Sequence, residues 1–467
     1  MTNNTMIKKK KFKVPNAYSL IMIFIIVAAI MTYILPAGEY STYQDEVTGR
    51  NLVDPTSFQF VDRNPVGVGD FLLAIPNGMT NAAAMIFLVF LIGGFFQVIN
   101  DTGAIDAAIN ILVNKLQDKA FLVIPIIMAL MSVLGALGII VNAVIAFIPI
   151  GIALAKKLKL DPIMGMAIMY IGAFTGTTTT PMGYYNTLLA QNIAGLTPLS
   201  GFGFRAIVWA IVFIVSVLYT LRYAKKVKSD INNSVLDEIE WIGKSETAAD
   251  VTDFNFKHAI VLTVLAAGFT IYSYGSFKLG WGTNHLSATM LAVALISGII
   301  TRMHPDDMSK SFIAGCKNMV YGALVIGFAN SIIIVLTEGK IIHTVIHFMS
   351  MPLANVTPMI SAVLMFYVNS IFNFFVPSGS GQAMIVMPLL APMADVVNVS
   401  RQVAVSAFLY GDGFSNTIIP TSGVLMGALG VAKIPYEKWL KFMLPLLASW
   451  VLIGTIAIIF SVLIGWA

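Results

Sequence analysis

The sequence predicts an all-α membrane protein built as an inverted repeat, with two re-entrant hairpins, two broken transmembrane helices and about nine full spans. Three observations lead to this fold class. The 467 residues are 57% hydrophobic and only 11% charged, whereas a soluble domain has about 25% charged residues. Two long apolar stretches are interrupted by glycine, threonine and proline. The lysines and arginines fall in short clusters between apolar segments, a pattern that orients membrane proteins.

Composition also limits the partners. A mean hydropathy of +0.84 makes the lipid bilayer the expected environment, and clustered cations with a net charge of +5 indicate topology rather than nucleic-acid binding. The single cysteine, Cys316, excludes an internal disulfide and a thiolate metal cluster. His343 and His347 are expected to form an interfacial pair. We therefore predict neither a metal site nor a cofactor, apart from Na⁺ or H⁺ as a coupling ion.

The lysine clusters divide the chain and orient it. The positive-inside rule places the N-terminus in the cytoplasm and the C-terminus outside. Residues 1–228 form an N-terminal membrane half that begins with a retained first span. Residues 229–256 form a hydrophilic cytoplasmic linker, and residues 257–467 form the C-terminal half.

Each half is predicted to contain a re-entrant hairpin. The first, 120–157, has lysines at both ends, so both ends belong to the cytoplasm, yet it is too short for two full spans of ~20 residues each. It is expected to turn near Asn142. The second hairpin, 358–395, enters from the outer side and turns at 377–381.

A broken helix follows each hairpin, over residues 161–194 and 401–430. The first contains "GAFTGTTTTPMG" at 172–183 and is expected to break at 175–180 and restart at Pro181. The second contains "GDGFSNTIIPTSG" at 411–423, with Pro420 at the restart. A shift of 239 residues places Pro181 on Pro420, and the charge pattern gives the two halves opposite directions. Matched breaks of this kind are typical of a transporter's binding site.

Broken helices expose helix N-termini that bind carboxylates and carbonyls that bind cations. Asp412, the one charge expected near the midplane, would hold a coupling ion, exchange a proton or pair with a cationic group of the substrate, with Ser415 beside it. Short polar side chains around the breaks and hairpin tips are the candidate substrate ligands: Asn142, Thr177, Thr178, Thr179, Asn186, Ser378, Ser380, Asn416, Thr417 and Thr421.

The order hairpin, broken helix, hairpin, broken helix, with the 411–423 motif in the second half, resembles the YfcC/DcuC-type family. This is the anaerobic four-carbon dicarboxylate carrier group of the ion-transporter superfamily, and the resemblance extends over residues 14–465. It implies a carrier of the bacterial cytoplasmic membrane. It also implies a homodimer whose scaffold domains form the interface and whose transport domains move like an elevator. Members that resemble this chain are linked to arginine/ornithine exchange.

These features together predict a secondary active transporter of a small carboxylate-bearing metabolite. We favour a basic amino acid such as arginine or ornithine over the alternative of a Na⁺- or H⁺-coupled four-carbon dicarboxylate. A channel is the alternative of another class. An enzyme is not expected, because the chain has no His-Glu-x-x-His, P-loop or nucleophile-elbow spacing.

Overall fold

The computed structural model describes ten stretches of the chain, within which the backbone is almost entirely helical: 17–44, 51–54, 56–105, 107–108, 111, 121–138, 140–141, 143–237, 254–279 and 281–466. Two predicted features lie wholly or mostly outside the described residues. Asn142 is wholly outside them, and so are residues 238–253 of the predicted linker.

The helices of the first half are apolar around most of their circumference, as expected for helices that face lipid or other helices. They are α1 (Ala17–Ile34), α2 (Val68–Asn81), α3 (Ala83–Asp101), α4 (Val123–Ala136), α5 (Ile148–Lys157), α6 (Pro162–Met166), α7 (Gly172–Thr178), α8 (Leu189–Ile193) and α9 (Phe202–Ser229). Two π-helical segments, Ala167–Ile171 and Tyr184–Leu188, lie on either side of α7, and a 3₁₀ turn, Ala143–Phe147, leads into α5.

The described part of the second half consists of helices and the short connections between them. It contains α10 (Phe256–Leu279), α11 (Thr283–Thr301), α12 (Pro305–Asn318), α13 (Val320–Glu338), α14 (Ile342–Ser350), α15 (Pro358–Phe375), α16 (Gly379–Val396), α17 (Arg401–Ser415), α18 (Gly423–Ala432) and α19 (Tyr436–Leu463). The second predicted hairpin corresponds to α15 and α16, which are joined by only three residues, 376–378.

Five of the described helices are long and apolar enough to cross a bilayer, and a sixth span is added if the pair α12–α13, bent by 44°, counts as one. The side chains that face outward on these helices are strongly apolar. On α9, for example, Ile207 and Leu218 are 62% and 61% exposed. The chain is therefore a multi-pass helical membrane protein. The predicted nine full spans treat α15 as an arm of the second hairpin and require α1, α10 and the two broken helices to cross as well, and that count remains a prediction.

The prediction of an all-α protein misses a small β region in the loop between α1 and α2. Strands β1 (Gly38–Glu39) and β4 (Gln59–Phe60) pair with each other, as do β2 (Thr42–Gln44) and β3 (Asn51–Val53). This loop is polar in sequence, and the helical periodicity that identifies spans gives no information about such short strands.

The β region packs on α14. The amide of Gly38 donates to the carbonyl of Lys340 (2.9 Å), and the amide of Tyr40 donates to Nδ1 of His343 (3.1 Å). The Tyr40 hydroxyl contacts Nδ1 of His347 (3.0 Å), and the Phe58 ring stacks on the same imidazole at 3.8 Å. The loop after α1 and the short helix before the second hairpin therefore lie on the same side of the molecule.

The helix boundaries repeat along the chain. Adding 237 to the bounds of α2 and α3 gives the bounds of α12 and α13, and adding 239 to the start of α6 and the end of α8 gives the start of α17 and the end of α18. The N-caps of the broken helices are also equivalent. Asp161 accepts a hydrogen bond from the Met164 amide (3.0 Å), and Ser400, 239 residues later, accepts one from the Val403 amide (3.3 Å).

Glycines fix the contact between the repeated helix pairs. A methyl group on Gly315 of α12 would lie 2.1 Å from the carbonyl oxygen of Gly93 on α3. A methyl group on Gly78 of α2, the equivalent of Gly315, would lie 2.7 Å from the amide nitrogen of Ser331 on α13. Small residues permit this approach of backbones inside a membrane. The two helix pairs are thus joined at two equivalent points.

The predicted breaks exist, but each begins later in the chain than expected. The first broken helix continues through Thr178 and is interrupted at 179–183, and the second continues through Ser415 and is interrupted at 416–422. Pro181 and Pro420 lie inside the breaks. They do not occupy the first turn of the restarted helices, so the prediction that they restart these helices was wrong. Ser422 caps α18 instead.

Replacing Gly315 by alanine tests the close contact between α12 and α3. We expect the variant to lose about 1–3 kcal/mol of stability, because a backbone carbonyl cannot move aside as a flexible side chain does. Gly203→Ala is the matched control, since nothing lies within 4 Å of the added methyl group in α9. Thermal denaturation in detergent measures both, and equal melting temperatures would contradict the proposed packing role of Gly315.

Acid should weaken the packing of the β region on α14. Burial lowers the pKa of His343 below its ordinary value of 6.5, an effect that the nearby Glu39 carboxylate partly offsets, and burial also lowers the pKa of His347. The folded state therefore binds fewer protons than the unfolded state, and the stabilisation is complete above about pH 6.5 and is lost as the pH falls below it. The protection of the amides of residues 38–44, measured as the exchange rate relative to the intrinsic rate at each pH, should fall as the pH is lowered from 7 to 5, and it should not change with pH in the His343→Gln/His347→Gln variant.

Candidate substrate-binding site

The breaks and hairpin tips surround a cavity of about 450 Å³, within the range of about 300–1,000 Å³ that is typical of small-molecule sites. One wall consists of the breaks and hairpin tips, including Phe174, Gly413, Pro377 and Gly138. The other wall consists of the α2–α3 junction, α13 and the turn between α10 and α11, which contribute Met85, Ile326, Ile333 and Gly282 among others. The cavity therefore lies between elements of both halves.

Seven of the residues predicted from the sequence line this cavity. They are Thr177 and Asn186 from the first broken helix, Ser378 and Ser380 from the second hairpin, and Asp412, Asn416 and Thr421 from the second broken helix. Their place in the chain differs widely, but the structure brings them together.

Four predicted residues are buried away from the cavity lining. Thr178 packs on Gly413, and Thr179 donates its hydroxyl to the Thr175 carbonyl (2.7 Å). Thr417 donates to the Phe414 carbonyl (2.6 Å), and Ser415 donates to the Gly411 carbonyl (2.6 Å). Thr179, Thr417 and Ser415 share one reason: a threonine or serine in or next to a helix satisfies its hydroxyl on a carbonyl three or four residues earlier. Asn142 lies outside the described residues, although its neighbour Val141 lines the cavity.

Asp412 is 2% exposed, on the last turn of α17. Its Oδ1 accepts a hydrogen bond from Nδ2 of Asn416 (3.0 Å). Its backbone carbonyl accepts one from Nδ2 of Asn373 (2.9 Å), and the same Nδ2 contacts the Ser415 hydroxyl (2.8 Å). Asn373 on α15 thus fixes the end of α17, so the first arm of the second hairpin positions Asp412.

Three consecutive carbonyls of the second break are bound by side chains. Tyr170 donates its hydroxyl to the Asn416 carbonyl (3.2 Å), Trp439 donates its indole N–H to the Thr417 carbonyl (2.8 Å), and Tyr436 donates to the Ile418 carbonyl. Inside a bilayer these freed groups must find protein, water or solute partners. Three aromatic residues therefore hold the break open.

The first break is anchored differently. The Thr180 hydroxyl donates to the Ala136 carbonyl of the first hairpin and accepts from the Met182 amide (3.1 Å), while the Thr180 carbonyl accepts from the Thr187 hydroxyl (2.8 Å). One threonine thus joins the hairpin, the break and the restarted helix.

The N-termini of two helices, α16 and α18, line the cavity. Gly379 and Ser380 begin α16, and Ser422, Gly423 and Val424 begin α18, and all five residues line the cavity. The first N–H groups of a helix have no carbonyl of their own helix to bind, so both ends offer donors to an anion.

Sequence reasoning missed the lining residues of the opposite wall. Asn330 lies in the apolar helix α13, Tyr272 lies in α10, and Trp281 lies in the turn before α11. A polar residue inside an otherwise apolar span was a usable signal for Asn330. Tyr272 and Trp281 resemble ordinary interfacial aromatic residues, and only the packing of the two halves brings them to the cavity.

Comparison with known proteins identifies the family of this chain. The DcuC family, described as C4-dicarboxylate anaerobic carriers, matches residues 14–463. The chain belongs to the DcuC family. It is 30% identical to "Putative basic amino acid antiporter YfcC" of Escherichia coli (strain K12), over 98% of both chains. It is 26% identical to an uncharacterized protein of Haemophilus influenzae, over 97% of this chain and 98% of the relative. This DcuC-family chain is therefore a membrane transporter and not an enzyme.

Two solved transporters resemble the chain more distantly. The YdaH transporter of Alcanivorax borkumensis matches with a TM-score of 0.44 and 15% identity, over 97% of this chain and 99% of that one. MtrF of Neisseria gonorrhoeae, described as an antimetabolite efflux pump, matches with a TM-score of 0.45 and 15% identity, over 96% and 95%.

Replacing Thr180 by valine tests the anchor of the first break. We expect a loss of about 1–3 kcal/mol, because buried backbone groups lose their partners without gaining water, together with slower transport. Thr179→Val is the matched control: it removes only a bond within the helix and should preserve both properties. The melting temperature and the initial uptake rate are the measurements. If the Thr179 variant lost transport and the Thr180 variant kept it, the anchor of the first break would be Thr179 and not Thr180.

Proposed function

We propose that this DcuC-family protein is a secondary active transporter of a basic amino acid, and that it works by exchange, as in arginine/ornithine antiport. The observation that carries the proposal is the charge of the cavity. Among the described lining residues, Asp412 is the only acidic or basic side chain. The name of the E. coli relative, a basic amino acid antiporter, supports the same substrate class.

A buried carboxylate requires a cationic partner or a proton, because an isolated charge inside a membrane protein is costly. A substrate with a net positive charge supplies that partner directly. The substrate carboxylate would bind the exposed N–H groups at the start of α16 and α18. The cavity then offers partners to the carboxylate and to one cationic group of the substrate, without any lysine or arginine among the described lining residues.

A four-carbon dicarboxylate is the second candidate, supported by the description of the family. It brings two negative charges into a cavity whose described lining contains a carboxylate, so it needs Na⁺ or H⁺ at Asp412 to compensate. The basic amino acid needs no such ion. A channel, the remaining alternative, would pass current and would not exchange labelled substrate.

We further propose that the two halves are inverted relative to each other across the membrane. The 237- and 239-residue spacings and the paired glycine contacts support a repeat, and the lysine clusters support opposite directions with the N-terminus inside and the C-terminus outside. A homodimer with an elevator-like motion of the hairpins and broken helices, in the bacterial cytoplasmic membrane, belongs to the same proposal.

Exchange in proteoliposomes tests the function. Vesicles loaded with unlabelled arginine should take up labelled arginine or ornithine and should ignore succinate. In Asp412→Asn we expect the affinity for arginine to fall about 100-fold, the cost of removing one partner of a buried charge pair.

Asp307→Asn is the control for this experiment, because it removes a carboxylate from an exposed pair with Lys310, and it should exchange at the parental rate. Succinate exchange that depends on Na⁺ or on a pH gradient would favour the dicarboxylate alternative. Single-channel currents without exchange would exclude a carrier.

A further inference from the structure

The tip of the second hairpin lies directly on two oxygen atoms that come from different halves of the chain. A methyl group on Gly379 would lie 2.7 Å from Oδ1 of Asn186 and 3.0 Å from Oδ2 of Asp412. Asn186 belongs to the restarted part of the first broken helix, and Asp412 to the last turn of α17. Only glycine allows the start of α16 to come this close to both oxygens.

Both oxygens are hydrogen-bond acceptors that face the cavity from neighbouring positions. Asn186 and Asp412 both line it. The other carboxylate oxygen of Asp412, Oδ1, is already bound by the amide of Asn416, which leaves Oδ2 as the oxygen next to Asn186. Both oxygens lie within 3.0 Å of the position that a methyl group on Gly379 would take, so they are less than about 6 Å apart. Charged N–H···O bonds are about 2.7–2.9 Å long, so one nitrogen donor that approaches from the cavity can reach both oxygens.

The same glycine belongs to a donor site. Gly379 and Ser380 are the first two residues of α16, and their N–H groups have no acceptor in their own helix. The Ser378 hydroxyl accepts from the Gly381 amide (3.3 Å) and so caps the next N–H group along the chain. The N–H donors at the start of α16 and the two acceptor oxygens of Asn186 and Asp412 therefore lie together at Gly379.

We propose that this junction recognises the amino-acid backbone of the substrate: the α-ammonium group binds Asp412 Oδ2 and Asn186 Oδ1, and the α-carboxylate binds the start of α16. An α-amino acid carries its cationic and anionic groups on one carbon, which matches an acceptor pair and a donor pair around one glycine. An ammonium has three N–H donors that can reach separate oxygens. The inference rests on the proposed function and deepens it, because it assigns Asp412 to the α-ammonium group and leaves the substrate side chain to the rest of the cavity.

The amino group of the substrate is the first variable to test. Nα-acetyl-L-arginine keeps the guanidinium and the carboxylate but replaces the ammonium by an amide. We expect proteoliposomes that exchange L-arginine to bind the acetylated compound at least about 100-fold more weakly, since a site built to bond a polar group rejects the analogue that lacks it. Counterflow with each compound measures the difference.

The protein side is tested by two glycines of the same hairpin tip. Gly379→Ala places a methyl group against both oxygens and should lower the affinity for arginine at least about tenfold. Gly381→Ala is the matched control, because its methyl group would meet only the side chains of Ser378, at 3.1 Å and beyond, and Val376, at 3.9 Å, and should change the affinity less than about twofold. Asn186→Leu is a second variant that removes one acceptor without touching the hairpin backbone, and it should also weaken binding.

The outcomes separate this inference from the proposed function. Equal exchange of arginine and its acetylated derivative would overturn the α-ammonium assignment and leave basic amino-acid exchange standing. Parental affinity in both Gly379→Ala and Asn186→Leu would overturn it as well. Absence of any amino-acid exchange in the unmodified protein would overturn both proposals together.

Discussion

The fold depends on one constraint: a helix can be interrupted inside a bilayer only where other groups satisfy its backbone. Three consecutive carbonyls of the second break are bound by Tyr170, Trp439 and Tyr436, two of which belong to α19 and one to the first broken helix. These donors come from elements that are distant in sequence, so the break exists only in the assembled molecule. The cavity is the space that remains once the breaks are held apart.

The sequence predicted where the interruptions occur but not their boundaries. The glycines and threonines predict a break at 175–180, yet Thr177 continues the helix by bonding to the Ala173 carbonyl of the preceding turn, and Thr179, where the break begins, still bonds to the Thr175 carbonyl. The glycines serve packing: a methyl group on Gly176 would lie 1.8 Å from the Ser132 carbonyl oxygen, and one on Gly413 would lie 2.5 Å from the Thr178 side chain. A local motif therefore indicates an unusual helix, while tertiary contacts decide at which residue it ends.

The site was predictable to a similar extent. Residues on the breaks and tips, such as Asn416 and Ser380, could be found because local chemistry reveals a helix end in an apolar stretch. The opposite wall could not, because Trp281 reaches the cavity through a turn whose geometry depends on Gly275: a methyl group there would lie 2.2 Å from the indole. Asn373, which positions Asp412, had no distinguishing signal either, since an asparagine in a hairpin arm serves packing equally well.

The two halves repeat the same helix arrangement but contribute different residues to the cavity, and this asymmetry limits which ligands the cavity can bind. Gly78 and Gly315 are equivalent and make equivalent contacts, and Asp161 and Ser400 both cap a broken helix. At the centre the equivalence ends, because the position that corresponds to Asp412 in the first half is Ala173. A single carboxylate on the side of the second break, with no other acidic or basic side chain among the described lining residues, makes the cavity electrically asymmetric. A ligand with separated positive and negative groups fits such a cavity in one orientation, whereas a symmetric dianion gains nothing from it.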